Sequence, residues 1–314
     1  MINRIKSLFW NAREKRLRTL WRLAAYAVVL STLMVIFLVI LSFVPFVPGN
    51  LNLSLVTLIS VILSTIIVGR WIDRRKILDF GLLLSREWWK AFAFGLGLGA
   101  LLMTLIFLIG ILSGSVQISG YFRSTTQSGS FLSHFFMTVL FFMSVGIYEE
   151  ILLRGYLLVN LAEGFKGTHG SAKRALLMAL LITSIIFGLL HSVNPNATWV
   201  SSLSLTVAGI FLGLGMVLTG RLGMSIGLHI TWNLFQGGVF GFPVSGIDFG
   251  VTLIETQLAG PEWLTGGAFG PEAGVLGLVG MVIGSLLILL WLRGRGLSGL
   301  HEDLAEYQPA MRQG

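Results

Sequence analysis

The chain contains no cysteine among its 314 residues, and only 11% of them are charged. The lack of cysteine excludes disulfide bonds, thiolate nucleophiles, cysteine-bound metals and palmitoylation. An ordinary soluble domain carries roughly a quarter charged residues, so the low charge content excludes a soluble globular enzyme. Disordered chains are poor in apolar residues, whereas 54% of this chain is hydrophobic. These values predict an all-α protein that crosses a membrane several times.

Three motifs that are typical of well-known enzyme and binding sites are also missing from the sequence. There is no GxxxxGK[ST] loop for phosphates and no GxSxG turn for a serine hydrolase. The zinc motif HExxH is absent as well, which removes the most specific support for a zinc site. Any catalytic function must therefore come from other polar residues.

Apolar runs of about 17 or more residues, bounded by charge, proline or glycine, predict eight membrane-spanning helices. They are Leu23–Val44, Leu51–Gly69, Ala91–Leu112, Phe131–Leu161, Ala175–His191, Thr198–Thr219, Leu222–Gly241 and Ala273–Leu292. The stretch Gly237–Gly274 is rich in glycine and proline and is predicted to be a long external or re-entrant loop.

The basic residues predict the orientation of the chain. Lysine and arginine exceed aspartate and glutamate by 22 to 14, which gives a net charge of +8. They concentrate before the first span, in the second, fourth and sixth connections and after the last span, whereas the other connections offer only Arg123. The positive-inside rule then places both termini in the cytoplasm, which requires an even number of spans. In a membrane protein this balance indicates contact with anionic lipid, so no nucleic-acid partner is expected.

Only three charged residues lie inside the predicted spans: Glu149, Glu150 and Arg154. A charge near the bilayer centre costs at least ~2.5–3.5 kcal/mol, so such residues are functional candidates. Glu150 and Arg154 are four residues apart and can pair on one helix face. Glu149 lies about 100° around the helix from Glu150 and is expected to face a polar cavity.

Two histidines and an asparagine inside the spans are further candidates. His191 closes the fifth span, and His229 lies one helical turn before Asn233 in the seventh. With Glu149, they are predicted to converge between the fourth, fifth and seventh helices. Glu149 and His191 can activate a water, and His229 and Asn233 can donate to an oxyanion on a carbonyl. Alternatively, the two histidines and a carboxylate of Glu149 or Glu150 can hold a divalent metal such as zinc.

Three short motifs in this order give the sequence a family resemblance. They are EExxxR at Glu149–Arg154, FxxxH at Phe187–His191 and HxxxN at His229–Asn233. The chain resembles the CAAX proteases and bacteriocin-processing enzymes, also called the Abi or CPBP family, over about residues 131–242. The resemblance implies an eight-helix intramembrane endopeptidase.

The resemblance also implies roles for residues: Glu149 and His191 activate the water, and His229 and Asn233 form the oxyanion site. Glu150, Arg154 and Phe187 are then supporting residues. Members of the family are described both as metalloproteases and as glutamic proteases. The glutamic type, which requires no cofactor, is favoured here because Glu149 and His191 suffice to activate water.

The predicted organisation has three parts: a basic segment with three spans (residues 1–130), a catalytic membrane domain (131–293) and a polar cytoplasmic tail (294–314). The expected partners are membrane lipid and a membrane-associated or lipidated peptide or protein, and the expected location is a bacterial plasma membrane. His191 at the far end of the fifth span predicts a site that opens away from the cytoplasm. The alternatives are a proton-coupled transporter that uses the buried Glu, Arg and His as a relay, and a catalytically silent immunity or scaffold protein of the same fold.

Overall fold

The computed structural model describes residues 8–12, 14–43, 50–125, 129–167 and 170–306. Within these residues the chain is dominated by eight helices, which confirms the predicted all-α membrane fold. They are α1 (Thr19–Phe43), α2 (Asn50–Val68), α3 (Arg86–Leu112), α4 (Phe131–Lys166), α5 (Ala172–Leu190), α6 (Trp199–Thr219), α7 (Gly223–Asn233) and α8 (Val275–Arg293).

Seven of these helices are long and apolar enough to cross a membrane, and the exception among the described residues is α7. The predicted seventh span, Leu222–Gly241, is therefore corrected in length, but this segment still runs along α3 from Gly95, beside Met224, to Phe107, beside Phe240, and so joins the two ends of the bundle. Helix α7 has 11 residues and continues as a π-helix of 6 residues, Leu234–Val239. All of Gly223–Trp232 is buried, so α7 is a core helix enclosed by its neighbours rather than one that faces lipid.

Close packing of α7 against α3 depends on glycine. A Cβ atom added to Gly95 of α3 would lie 2.3 Å from the carbonyl oxygen of Met224, which is backbone and cannot move aside. In apolar surroundings, small residues allow helices to approach this closely and to gain van der Waals contact. Two residues further along α3, a Cβ atom added to Gly97 would meet nothing within 4 Å.

This difference predicts that Gly95→Val destabilises the protein and that Gly97→Val, the matched control, does not. Both changes place the same β-branched residue in the same helix, so helix propensity cancels. Overpacking at Gly95 is expected to lower the free energy of unfolding by about 1–3 kcal/mol. Thermal unfolding of the two purified variants checks this, and equal midpoints would contradict the packing described.

Helix α4 is longer than the predicted span Phe131–Leu161, because it continues to Lys166. Its 36 residues include a π-helix, Ile151–Leu157, immediately after Glu150. The helix is about 54 Å long, against a hydrocarbon core of about 30 Å. The helix is therefore longer than the hydrocarbon core is thick, and at its start the Phe131 and Phe122 rings meet edge to face at 5.4 Å.

A second group of buried charges ties the start of α1 to the end of α4. The Glu163 carboxylate accepts hydrogen bonds from Arg16 (2.6 Å) and Arg22 (3.1 Å) and pairs with Arg75, while Asp73 lies 3.4 Å from Arg22. These charges lie outside the predicted spans, and α1 and α4 extend past the predicted limits to include Arg22 and Glu163. We call this end of the bundle, which carries the basic connections, the basic end.

The opposite end of the bundle carries a β-ribbon that the sequence did not predict. Strand β3 (Val116–Ser124) pairs antiparallel with β4 (Val251–Leu258), and a smaller pair, β1 (Trp10–Asn11) and β2 (Arg16–Leu17), lies near the N-terminus. The predicted loop Gly237–Gly274 is therefore largely ordered structure. It contains β4, a short helix (Glu262–Thr265) and two 3-10 turns (Gly267–Phe269 and Pro271–Ala273).

The two predicted terminal segments lie only partly within the described residues. The structure describes the N-terminal basic segment from residue 8 and the polar tail as far as residue 306. In the tail, a 3-10 turn (Glu302–Ala305) buries Leu304 and Ala305, and the His301 amide donates to the carbonyl of Val217. This part of the tail therefore packs on the basic end.

Candidate active site

A cavity of about 440 Å³ lies within the bundle, and all four predicted catalytic side chains line it. Glu149 comes from α4, His191 follows α5, and His229 and Asn233 come from α7. The convergence predicted from the sequence is thus present. Helix α6 and the segment between α7 and α8 also contribute walls, and most of the surface is apolar, with Phe141, Phe142, Phe211 and Trp232 among the lining residues.

Glu150 and Arg154 form the ion pair that their spacing predicts. The Arg154 Nη1 donates to Glu150 Oε1 at 2.8 Å, and both side chains are at most 1% exposed. The Arg154 Nη2 donates to the carbonyl of Gly209 on α6 at 3.0 Å. Its guanidinium lies 4.8 Å from the centre of the Phe187 ring on α5, in cation–π contact. The pair therefore joins α4, α5 and α6 behind the cavity.

The same Glu150 oxygen also holds His229, a contact that the sequence did not predict. His229 Nδ1 lies 2.9 Å from Glu150 Oε1, so the ring donates its Nδ1 proton to the carboxylate. The other nitrogen, Nε2, lies in the cavity at 3.8 Å from Glu149 Oε2. A ring that donates at Nδ1 can also donate at Nε2 only when both nitrogens carry protons.

The position of His191 results from the end of α5. Its Nδ1 lies 2.8 Å from the carbonyl oxygen of Phe187, one turn earlier. Because a carbonyl can only accept, Nδ1 carries the proton and Nε2 keeps its lone pair. The Phe187 ring is 4.6 Å from the His191 ring and 6.2 Å from the His229 ring, so it packs against both imidazoles.

Glu149 is the carboxylate that is left available for chemistry. Its side chain is 16% exposed, and its Oε2 atom is buried with no hydrogen-bond partner among the described residues. Buried polar atoms are normally hydrogen bonded, so such an atom in a cavity is suited to binding a water or a substrate group. Glu149 and Glu150 thus occupy different environments, as their spacing predicts.

A comparison with family models finds a match in this part of the chain. Residues 130–235 match the model described as type II CAAX prenyl endopeptidase Rce1-like. We refer to this stretch, for that similarity, as the Rce1-like domain. The match agrees with the resemblance to the CPBP family, and it contains all seven residues of the three motifs. No curated protein and no solved structure matches the chain.

The side chains of the Rce1-like domain do not present a ready metal site. Within the described residues, no group of three or more His, Asp and Glu side chains is arranged to hold a metal ion. The Nδ1 contacts of His229 with Glu150 and of His191 with a carbonyl are compatible with ligation through Nε2, so what the described residues lack is a third side chain at ligating distance. The present arrangement therefore does not fit the three-ligand set that a catalytic zinc requires.

Several cavity residues lie outside the Rce1-like domain, and one of them is a carboxylic acid that belongs to no predicted site. Glu272, in the turn before α8, lines the cavity and is 3% exposed. Its carboxylate accepts hydrogen bonds from the Gln236 side chain and from the Ser245 amide (2.5 Å) and hydroxyl (2.9 Å). Burial raises the pKa of Glu272, and these hydrogen bonds act in the opposite direction. No motif marks Glu272, because its partners come from a loop whose fold is set by long-range contacts.

Proposed function

We propose that this protein is an intramembrane endopeptidase that hydrolyses peptide bonds with a water activated by Glu149 and His191. The observation that carries the proposal is the convergence of four polar side chains, from three helices, on one cavity inside an apolar bundle. The Rce1-like domain supports the same reaction class.

The arrangement suits hydrolysis of an amide. A water between Glu149 Oε2 and His191 Nε2 would lose a proton to Glu149 as its oxygen bonds to the carbonyl carbon. The carbonyl oxygen then becomes an oxyanion, for which Asn233 offers amide hydrogens and doubly protonated His229 offers its Nε2 hydrogen. When the C–N bond breaks, the proton on Glu149 passes to the leaving nitrogen, which returns the site to its starting state.

The walls of the cavity favour an apolar substrate. Its aromatic and aliphatic lining and its position among membrane-spanning helices fit a membrane-associated or lipidated peptide. A soluble, highly charged peptide would lose its hydration there without compensating ion pairs.

The proposal is tested by incubating the purified protein, reconstituted in lipid vesicles, with a library of membrane peptides. New chain ends are identified by mass spectrometry. Cleavage should be lost in Glu149→Gln and His191→Ala and retained in Glu302→Gln and His301→Ala, which make the same changes at exposed positions. A transporter or a silent scaffold of this fold would produce no new chain ends with any of the variants.

The metal-free mechanism makes a separate prediction. Dialysis against a strong chelator is expected to leave the cleavage rate unchanged within about twofold, because Glu149 and His191 suffice as base and orienting group. Chelator-sensitive cleavage that one divalent metal restores would show instead that the protein is a metalloprotease.

We also propose that the cavity opens on the extracytoplasmic side of a bacterial plasma membrane, with both termini in the cytoplasm. The basic connections lie at one end of the bundle, and His191 and the β3–β4 ribbon lie at the other. In intact cells a membrane-impermeant maleimide should label Ser192→Cys, which follows His191, but not Leu297→Cys at the basic end. The Cys-free chain gives no background, and the reverse pattern would overturn this orientation.

A further inference from the structure

Glu272 occupies a place that the proposed mechanism does not use. It is a buried carboxylate at the wall of the cavity, and the hydrogen bonds it accepts link three segments of the chain. Gln236 lies in the π-helix that continues α7, three residues beyond Asn233. Ser245 lies in the loop after that π-helix, and Glu272 itself lies in the turn before α8.

The hydrogen bonds show that both Glu272 oxygens act as acceptors. The Gln236 Nε2 donates to the carbonyl of Pro243 (2.6 Å), which fixes the orientation of the amide, and the same NH₂ group faces Glu272 Oε2. The other oxygen, Oε1, receives the amide and the hydroxyl of Ser245. A glutamine at position 272 could not satisfy all of these donors, because its own NH₂ group would face one of them.

Ser245 has a backbone conformation that needs such support. Its φ angle is +48°, in the left-handed region that a residue with a side chain rarely adopts. Two hydrogen bonds to one buried carboxylate hold it there, and its carbonyl in turn accepts a hydrogen bond from Asn194 Nδ2 at 2.9 Å. The Asn194 backbone amide donates to the carbonyl of His191, so this series of contacts ends at the residue that is proposed to orient the water.

We infer that Glu272 is a positioning residue of this site: through Ser245 and Asn194 it fixes His191, and through Gln236 it fixes the end of the helix that carries His229 and Asn233. The same contacts close the wall of the cavity, since Val244 and Ser245 both line it. This inference rests on the proposed function for its kinetic consequences, but the closed wall can be tested without cleavage.

The first experiment measures how accessible the wall of the cavity is to a small reagent. A single cysteine, Val244→Cys, is placed in the Cys-free chain, and its reaction with N-ethylmaleimide is timed in the vesicle-reconstituted full-length protein. Val244 is 5% exposed, so labelling should be slow. Adding Glu272→Gln should speed labelling at least about tenfold, whereas Glu262→Gln, at an exposed position of the same loop, should not. Equal rates for the two variants would overturn the inference.

The second experiment measures kinetics on whichever library peptide the wild type cleaves. Glu272→Gln is expected to lower kcat by roughly tenfold to a hundredfold, with KM nearly unchanged, because a small displacement of a catalytic group has this effect. Asn194→Ala should act on the same contacts, so the double variant should be little worse than either single variant. A loss of kcat in the double variant equal to the product of the two single losses would overturn the inference.

A rescue separates positioning from loss of fold. Glycine adopts the left-handed conformation without strain, so Ser245→Gly should restore part of the kcat lost in Glu272→Gln. Lack of any rescue would contradict a role through Ser245. If Glu272→Gln opens the wall but no library peptide is cleaved by the wild type, the positioning role stands and the proposed function fails. If the wild type cleaves peptides and Glu272→Gln leaves the wall closed, the proposed function stands and the positioning role fails.

Discussion

Glu149→Gln is expected to lower kcat for peptide cleavage by about a hundredfold to ten-thousandfold, the contribution of a general base. The amide keeps the shape of the side chain but cannot take a proton from water. The Glu149 Oε2 atom has no hydrogen-bond partner among the described residues, so the substitution removes no hydrogen bond of that atom from the fold. KM and the thermal unfolding midpoint should therefore stay near the wild-type values.

Two further variants make this prediction specific. Glu149→Asp keeps the carboxylate but shortens it by one methylene, so it should retain more activity than Glu149→Gln. Glu302→Gln makes the same chemical change at an exposed position and should leave kcat unaltered. If Glu149→Gln cleaved as fast as the wild type, Glu149 would not be the base.

Glu150→Gln is expected to have the largest effect on stability, because its carboxylate neutralises a guanidinium that is 1% exposed. Removing one partner of a buried ion pair typically costs about 3–5 kcal/mol. The unpaired charge of Arg154 would remain inside the bundle, and His229 would lose its anionic acceptor. The thermal unfolding midpoint should fall well below that of the wild type.

The control for Glu150→Gln is Glu87→Gln, which removes a carboxylate from an exposed pair with Lys90. Exposed pairs contribute about 0–1 kcal/mol, so its midpoint should hardly change. Adding Arg154→Met to Glu150→Gln removes the stranded charge and should recover part of the lost stability. A double variant less stable than the single one would contradict an effect through the unpaired guanidinium.

The sequence predicts the polar site well because helical geometry relates neighbouring residues directly. Spacing alone places Glu150 on the face of Arg154 and turns Glu149 elsewhere, and the structure has both features. The contact between Glu150 and His229 was not predictable in this way. It joins α4 and α7, and their relative rotation is set by packing rather than by local sequence.

The ends of the helices and the loops were predicted less well. Hydropathy detects apolar runs, so it shortened α1 and α4 where Arg22 and Glu163 are buried in pairs. Hydropathy also predicted a full membrane span at α7. A buried core helix is as apolar as one that faces lipid, so hydropathy does not distinguish them. The β3–β4 ribbon and the Glu272 contacts join residues far apart in the chain, and no short pattern records them.

Hydrolysis by a water held at Glu149 determines where the oxygen of the new carboxylate comes from, and isotope labelling can show this. Vesicles that contain the purified protein are incubated with the membrane-peptide library in H₂¹⁸O, and the products are analysed by mass spectrometry. One ¹⁸O atom is expected in the new C-terminal carboxylate of each product from the wild type, and no such products above background are expected from Glu149→Gln. New chain ends without ¹⁸O, or equal amounts of labelled product from both proteins, would contradict this mechanism.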